Sequence, residues 1–415
     1  MKTMLKRIAV AVLLPMVAAC EFVDDDIDKH TGNEPYVALD EVAEILAYLP
    51  MDASHLAEVH NAVISSSGNG YDEEYTMSHL FEAPGSGVGE NIANSNEGVT
   101  KVGGSIIKGT EYKNPLRDLI CDYVRGGVPT KSSARIPDPD KWLDELKKSD
   151  MQIYWPFSEN WDGETFPVVT FDPEDNSDVN IGYRIAVGND GSRYVEEVLV
   201  NEEMAENMPV WVVNRNSDAG FTTLEMLRRE DPEWGAGGGS IIVTPAFATA
   251  TKASDSGLKS LMLKDFTMKR NYDTWFTGAS EFFVKTGAVE DFTASTEAEL
   301  RLYSPTVTDF VIVVRRNQIG IPQPFNAVLI SEWSQQLESC AFMIIEDDGG
   351  TIEDWNCTAL VRVASKSYGV EIKIPFHSRD DIVWRGQLTS RWLEANSNLV
   401  GHFGDIDLTF EVLEY

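Results

Sequence analysis

The sequence predicts an α+β protein that is mostly β: a helical N-terminal region over residues 39–150, a β-rich segment over 151–250 and a C-terminal antiparallel β-sandwich over 259–415. Three observations carry this expectation. Apolar residues recur at helical spacing mainly in the first third of the chain. From Met151 onward, short apolar runs alternate with clusters of turn-forming residues, the pattern of many short strands. Finally, 43% hydrophobic and 10% aromatic residues in a chain of 415 supply enough apolar surface for two or three cores.

In order along the chain, "LDEVAEILAYLP" places Val42, Ile45, Leu46 and Leu49 on one helical face, with Pro50 as the stop. A second helix is expected through "ASHLAEVHNAVI" and a third through "NPLRDLICDYV", separated by a glycine-rich stretch from Ser65 to Gly109. The fourth begins in "DPDKWLDELKKSD", where Asp138 can cap, Pro139 fits the first turn, and Lys147 and Lys148 suit the C-terminal end. "FPVVTFD", "IGYRIAV", "RYVEEVLV" and "MPVWVVNR" read as strands, the middle two joined at the hairpin turn Gly188-Asn189-Asp190-Gly191. Residues 235–258 are glycine-rich, then small and polar, and form the best domain boundary. Ten further short strands follow: "SLMLKDFTMK", "SEFFVK", "EAELRLY", "TDFVIVVRR", "FNAVLIS", "CAFMIIED", "TALVRVAS", "GVEIKIPF", "DIVWRG" and "DIDLTFEVLEY". Their length and spacing suggest a β-sandwich, and there is no internal repeat.

The first residues carry an address. Residues 1–19 contain Lys2, Lys6 and Arg7, an apolar run from Ile8 to Leu14, then Pro15 and small residues, the layout of a secretory signal. That run is too short for a permanent membrane span, and nothing after residue 20 is long and apolar enough for one. Val17-Ala18-Ala19-Cys20 resembles the bacterial lipobox, in which the cysteine sulfur is acylated and becomes the new N-terminus; the family pattern often has Leu where Val17 stands. The resemblance implies palmitate-type lipidation at Cys20 and an anchor to the outer membrane, since more than one buried acyl chain gives stable attachment. The acidic run from Glu21 to Asp28, within a tether spanning residues 20–38, resembles the export signal of Bacteroidetes surface lipoproteins and implies the outer face of that membrane. A solvated acidic linker is the plainer reading of the same run. With 34 Lys+Arg against 67 Asp+Glu and a net charge of −33, nucleic acid is excluded as a partner, and anionic lipid headgroups repel the body.

Several residue groups are candidates for chemistry. If Asp348-Gly349 forms a two-residue hairpin turn, Cys340 faces Cys357, Phe342 faces Trp355 and Ile345 faces Ile352, so a Cys340–Cys357 disulfide is expected, with two buried free thiols as the alternative. Cys121 reads as a core thiol on a helix. His55 and His60 are five apart and diverge by about 140° around a helix, so they do not form the paired zinc face. Gly85, Gly87 and Gly89 lack the flanking pattern of a phosphate cradle. Asp172, Asp175 and Asp178 offer hard oxygen ligands for calcium, or else form a solvated turn; no other cofactor is implied, and "EDDGGTIED" fails the EF-hand register. Tyr154, Trp155 and Trp161, with Phe157, form a candidate stacking platform for a glycan, or else core packing. No Gly-x-Ser-x-Gly elbow occurs, and pairs of carboxylates for glycoside hydrolysis are a question of geometry. The expected function is a lipid-anchored, non-catalytic binding or accessory protein, whose ligand is a glycan, a host protein or an outer-membrane complex. A surface hydrolase and a structural component of a surface assembly are the alternatives.

Overall fold

A computed structural model describes residues 36–82, 99–102, 105–108, 114–126, 136–187, 193–216, 222–230 and 259–414. Cys20, the signal and tether, the glycines at 85–89, the turn at 188–191 and the boundary at 235–258 lie outside these residues. Val37–Tyr415 form one compact unit. No helix among the described residues is long and apolar enough to cross a membrane.

The four expected helices form, and three of them carry recognisable local start or stop signals. α1 (Leu39–Tyr48) carries Asp40 and Glu41 in its first turn and stops at Leu49, ahead of Pro50. α2 (Ala53–Ser67) is capped by Asp52, whose carboxylate accepts from the Ser54 amide, while His55 Nδ1 accepts from the Asp52 amide. Two short elements not expected from the sequence, β1 (Glu74–Thr76) and α3 (Met77–Glu82), follow. β2 (Val99–Val102) and β3 (Ser105–Lys108) form a small hairpin, then come α4 (Leu116–Gly126) and α5 (Pro139–Lys148), the latter capped by Asp138 with Pro139 in its first turn.

The next strands are β4 (Met151–Tyr154), β5 (Val168–Phe171), β6 (Val179–Val187), β7 (Arg193–Asn201) and β8 (Val210–Arg215), with α6 (Glu202–Asn207) before β8 and α7 (Leu224–Glu230) after it. They form one sheet in the order β1-β4-β8-β5-β6-β7, in which only β5 and β8 run parallel. The division between 39–150 and 151–250 is therefore one of sequence character and not of packing. β1 belongs to this sheet, and α1 and α2 share a core with Met151, Ile153, Val169, Trp211 and Val213. The alternate residues Tyr154, Val168, Val210 and Val212 point to the opposite face and pack with Trp275 and Phe276. With both faces covered, the run "VWVV" is apolar without interruption, as buried strands require.

The remaining chain is the expected antiparallel sandwich. One sheet contains β10 (Ser280–Ala288), β11 (Thr306–Val314), β13 (Leu337–Glu346), β14 (Ile352–Val363) and β15 (Lys366–His377) in the order β11-β10-β13-β14-β15, with β16 (Asp381–Thr389) also paired to β13. The other runs β12-β9-β18-β17, from β9 (Lys259–Met268), β12 (Gln323–Trp333), β17 (Val400–Phe403) and β18 (Ile406–Glu414). Phe266, Phe282, Phe325, Trp333, Phe342 and Phe410 fill the space between them. Each such side chain contributes about 1.5–3 kcal/mol by leaving water, and the aliphatic residues packed around them, Leu261, Leu263, Ile344 and Leu408 among them, add to it.

Two expectations fail here. "EAELRLY" is not a strand: Glu297–Leu300 is a helical turn, α8, because Thr296 Oγ1 accepts from the Glu299 amide while Glu299 Oε2 accepts from Ser295. The disulfide register also fails. β10 occupies one edge of β13 from Ala341 to Glu346 and β16 the other from Ser339 to Glu346, so β14 pairs with β13 only at Leu337 and Ser339. Cys340 consequently faces Leu388 and Cys357 faces Ile372, each sulfhydryl donating to that partner's carbonyl, at 3.7 Å and 3.6 Å, and both thiols are free. The turn is longer than two residues, with Gly349 and Gly350 at φ of 67° and 111°. The last helix, α9 (Ser390–Ala395), lies between β16 and β17.

Candidate functional site

The aromatic platform is core. Tyr154 and Trp155 are each 1% exposed, and as neighbours on extended chain they point to opposite sides of the six-stranded sheet. Trp155 packs at ring-centroid distances of 5.3 Å from Trp161, 5.7 Å from Trp211 and 5.5 Å from His60. Tyr154 joins Trp275 and Phe276 on the other side. Trp161 is half-buried, and its indole N–H donates to the Thr165 carbonyl. No common stacking surface is left for a sugar. The missing signal was the second covering layer: without knowing that Trp275 and Phe276 come to rest on the sheet, the exposure of "YW" is undetermined.

The calcium candidate at Asp172, Asp175 and Asp178 resolves into turns. Asp172 accepts from the Glu174 amide at 2.9 Å and Asp175 from the Ser177 amide at 3.0 Å. The Asp178 carbonyl accepts from Trp275 Nε1 at 3.0 Å. These three are not among the carboxylates whose ligand atoms converge. His55 caps α2 and His60 Nε2 lies 3.1 Å from the Ser158 carbonyl within the aromatic cluster, so neither serves a zinc face.

Titratable groups do converge at one end of the sandwich, because the strand registers stack chain ends there. Phe282 pairs with Glu346, Glu346 with Asp381, and Ile352 with His377. The loop 347–351 curls onto the β15–β16 turn: Thr351 donates to Ser378 Oγ, and Asp348 to Asp380. Two triads result, each with ligand atoms within 4.8 Å of one another: Asp347, His377 and Asp380; and Asp273, Glu346 and Asp348. In the first, His377 Nδ1 lies 2.9 Å from Asp347 and 3.7 Å from Asp380, whose other oxygen accepts from the His377 amide. Burial, the neighbouring Asp347 carboxylate and a hydrogen bond with it raise the Asp380 carboxyl above its ordinary range.

The second triad is less compensated. Glu346 is 1% exposed, and its Oε1, like Asp273 Oδ2, is buried with no hydrogen-bond partner. Burial first, and then a hydrogen bond with Asp273 and its charge, push Glu346 far above the usual range; burial raises Asp273 as well, against the hydrogen bond with Glu346 and the nearby Arg316 charge, which lower it. Asp348 is exposed yet raised to about 6 by partial desolvation and the charges of Asp273, Asp381 and Asp380. Asp273 arrives on the β9–β10 connection, a strap that also fastens the sandwich to the other sheet. Asn214 Nδ2 donates to the carbonyls of Phe276 and Thr277, and Ala279 donates to Asp72. Arg316 donates to the Asp273 carbonyl and to Glu202, not to the Asp273 carboxylate. Ile352, 74% exposed, and Ile382, 38% exposed, stand as apolar neighbours on the rim. Sequence reasoning met half of this site in "EDDGGTIED", but Asp273 is joined to it only by folding.

Comparison with protein-family models, with curated proteins and with solved structures finds no match. Residue roles at this end of the sandwich therefore rest on its chemistry.

Proposed function

We propose that the protein is a lipid-anchored cell-surface binding or accessory protein, non-catalytic, tethered to the outer membrane through Cys20 and engaging a glycan or a surface protein at the acidic end of its sandwich. The lipobox-like Val17–Cys20 and the acidic run behind it support the address. One observation carries the binding reading: two strand connections, β13–β14 and β15–β16, bring Asp348, Asp381 and half-exposed His377 together beside exposed Ile352 and Ile382. Carboxylates and imidazole are acceptors and donors for hydroxyl groups, and an apolar rim suits the less polar faces of a sugar. Loops on a rigid sandwich are where such contacts are commonly carried.

A glycan array probed with the protein and with His377→Ala tests this. Saturable binding by the parent, weakened about tenfold or more in the variant, is the expected result. Silence on the array together with turnover of a sugar substrate favours the second reading, a surface hydrolase. What supports that alternative is Asp348, a raised carboxyl beside two further acids. The anchoring is tested separately: Cys20→Ser abolishes labelling by a palmitate probe, and normal labelling of that variant refutes it.

A further inference from the structure

From the second triad we infer that Asp273, Glu346 and Asp348 together hold a calcium ion. The inference goes beyond surface binding and does not depend on it. Two separate parts of the chain deliver the ligands: the β9–β10 strap carries Asp273, and the end of β13 with the loop directly after it carries Glu346 and Asp348. Their oxygens lie within 4.8 Å of one another, the span of two calcium–oxygen bonds of about 2.4 Å placed across one ion. The donors are all carboxylate oxygens, which suit a hard cation and not zinc or copper.

Acids clustered at a surface need no ion, but this set contains one that does. Glu346 is almost wholly out of water, and neither its Oε1 nor Asp273 Oδ2 has a hydrogen-bond donor, so the pair is relieved only by a proton shared between the two acids or by a cation that replaces it. Among the described residues none of the three carboxylates forms a salt bridge; the guanidinium of Arg316 is engaged by Glu202 and by backbone. A divalent cation answers both the unpartnered oxygen and the surplus of negative charge. Bound there, it ties the strap to β13, and through the strap the sandwich to the six-stranded sheet.

The test uses the full chain, stripped with a chelator and titrated with calcium chloride in calorimetry and in thermal unfolding. One saturable site is expected, with a melting temperature that climbs with calcium. Asp348→Asn, at an exposed position, weakens binding by about tenfold or more, and so does Glu346→Gln. In chelator, Glu346→Gln melts no lower than the parent, because the change removes a buried acid. Should that variant fail to fold, Asp348→Asn decides alone. Absence of saturable heat in the parent, an equal response to magnesium, or a parental calcium affinity in Asp348→Asn overturns the assignment.

Discussion

Glu58→Gln makes the buried acid of the helical core measurable. Glu58 is 1% exposed on α2, and accepts from Tyr75 Oη at 3.1 Å and from the Leu116 amide at 2.8 Å, joining α2 to β1 and α4. Burial raises its carboxyl from 4.5 to about 7, although both hydrogen bonds favour the charged form. Because the folded value lies above the unfolded one, the native state keeps a proton that the unfolded chain has released. Stability is then fully present below about pH 4.5 and falls as pH rises through about 7. A difference of roughly 2.5 pKa units corresponds to about 3 kcal/mol. Glutamine copies the protonated acid: its oxygen accepts from Leu116 and its amide donates to Tyr75. Urea unfolding of parent and variant at about pH 5 and about pH 8 should show the variant gaining up to about 3 kcal/mol on the parent across that interval. A difference that stays constant with pH refutes the reasoning.

Three further expectations follow from packing. Trp155→Ala empties the centre of the ring cluster and costs about 3–5 kcal/mol in chemical denaturation; a parental midpoint means that Trp155 is not core. Thiol counting in denaturant without reductant should find Cys340 and Cys357 both free, and recovery of a joined peptide would restore the hairpin register that β10 and β16 displace. Gly278→Ala destabilises by about 1–3 kcal/mol, since Gly278 has φ of 130° and an added Cβ meets Asp72 Oδ2 at 2.6 Å, disturbing the bond to Ala279; an unchanged melting temperature tells against the strap.

What could be read from the sequence was whatever is decided within about a dozen residues. α1, α2, α4 and α5 carry their own apolar stripes, and in α2 and α5 the capping residue precedes the stripe directly. The strands of the sandwich announce themselves as short apolar runs at regular spacing. What could not be read was decided by competition between distant segments. The pairing of Cys340 with Cys357 is self-consistent in isolation, and fails because β10 and β16 take the two edges of β13 beyond Ser339. "EAELRLY" alternates like a strand, but the Thr296 and Glu299 capping bonds favour one helical turn. The stacking platform fails for a similar reason, since Tyr154 and Trp155 are each covered by a different layer. Glu346 and Asp348 were visible as acids, and only the strap carrying Asp273 turns them into a triad.

The buried acids also set how protons and a cation should compete. Glu58 and Glu346 are both raised chiefly by burial, so each favours the folded state more strongly as pH falls toward the ordinary carboxylate range. Their surroundings differ in kind. Glu58 has a hydroxyl and an amide as partners and belongs to no group of converging ligand atoms, so a proton and not a cation removes the charge penalty that remains. Glu346 has two other carboxylates within ligand distance, so a calcium ion can take the proton's place. Calcium at about pH 8 should therefore restore the part of the stability lost at Glu346 and leave the part lost at Glu58 untouched. In Glu58→Gln the pH dependence that remains should shrink on adding calcium, whereas in Glu346→Gln calcium should change the profile little. If calcium flattens the profiles of both variants equally, the ion acts through the general acidity of the surface and not through these three carboxylates.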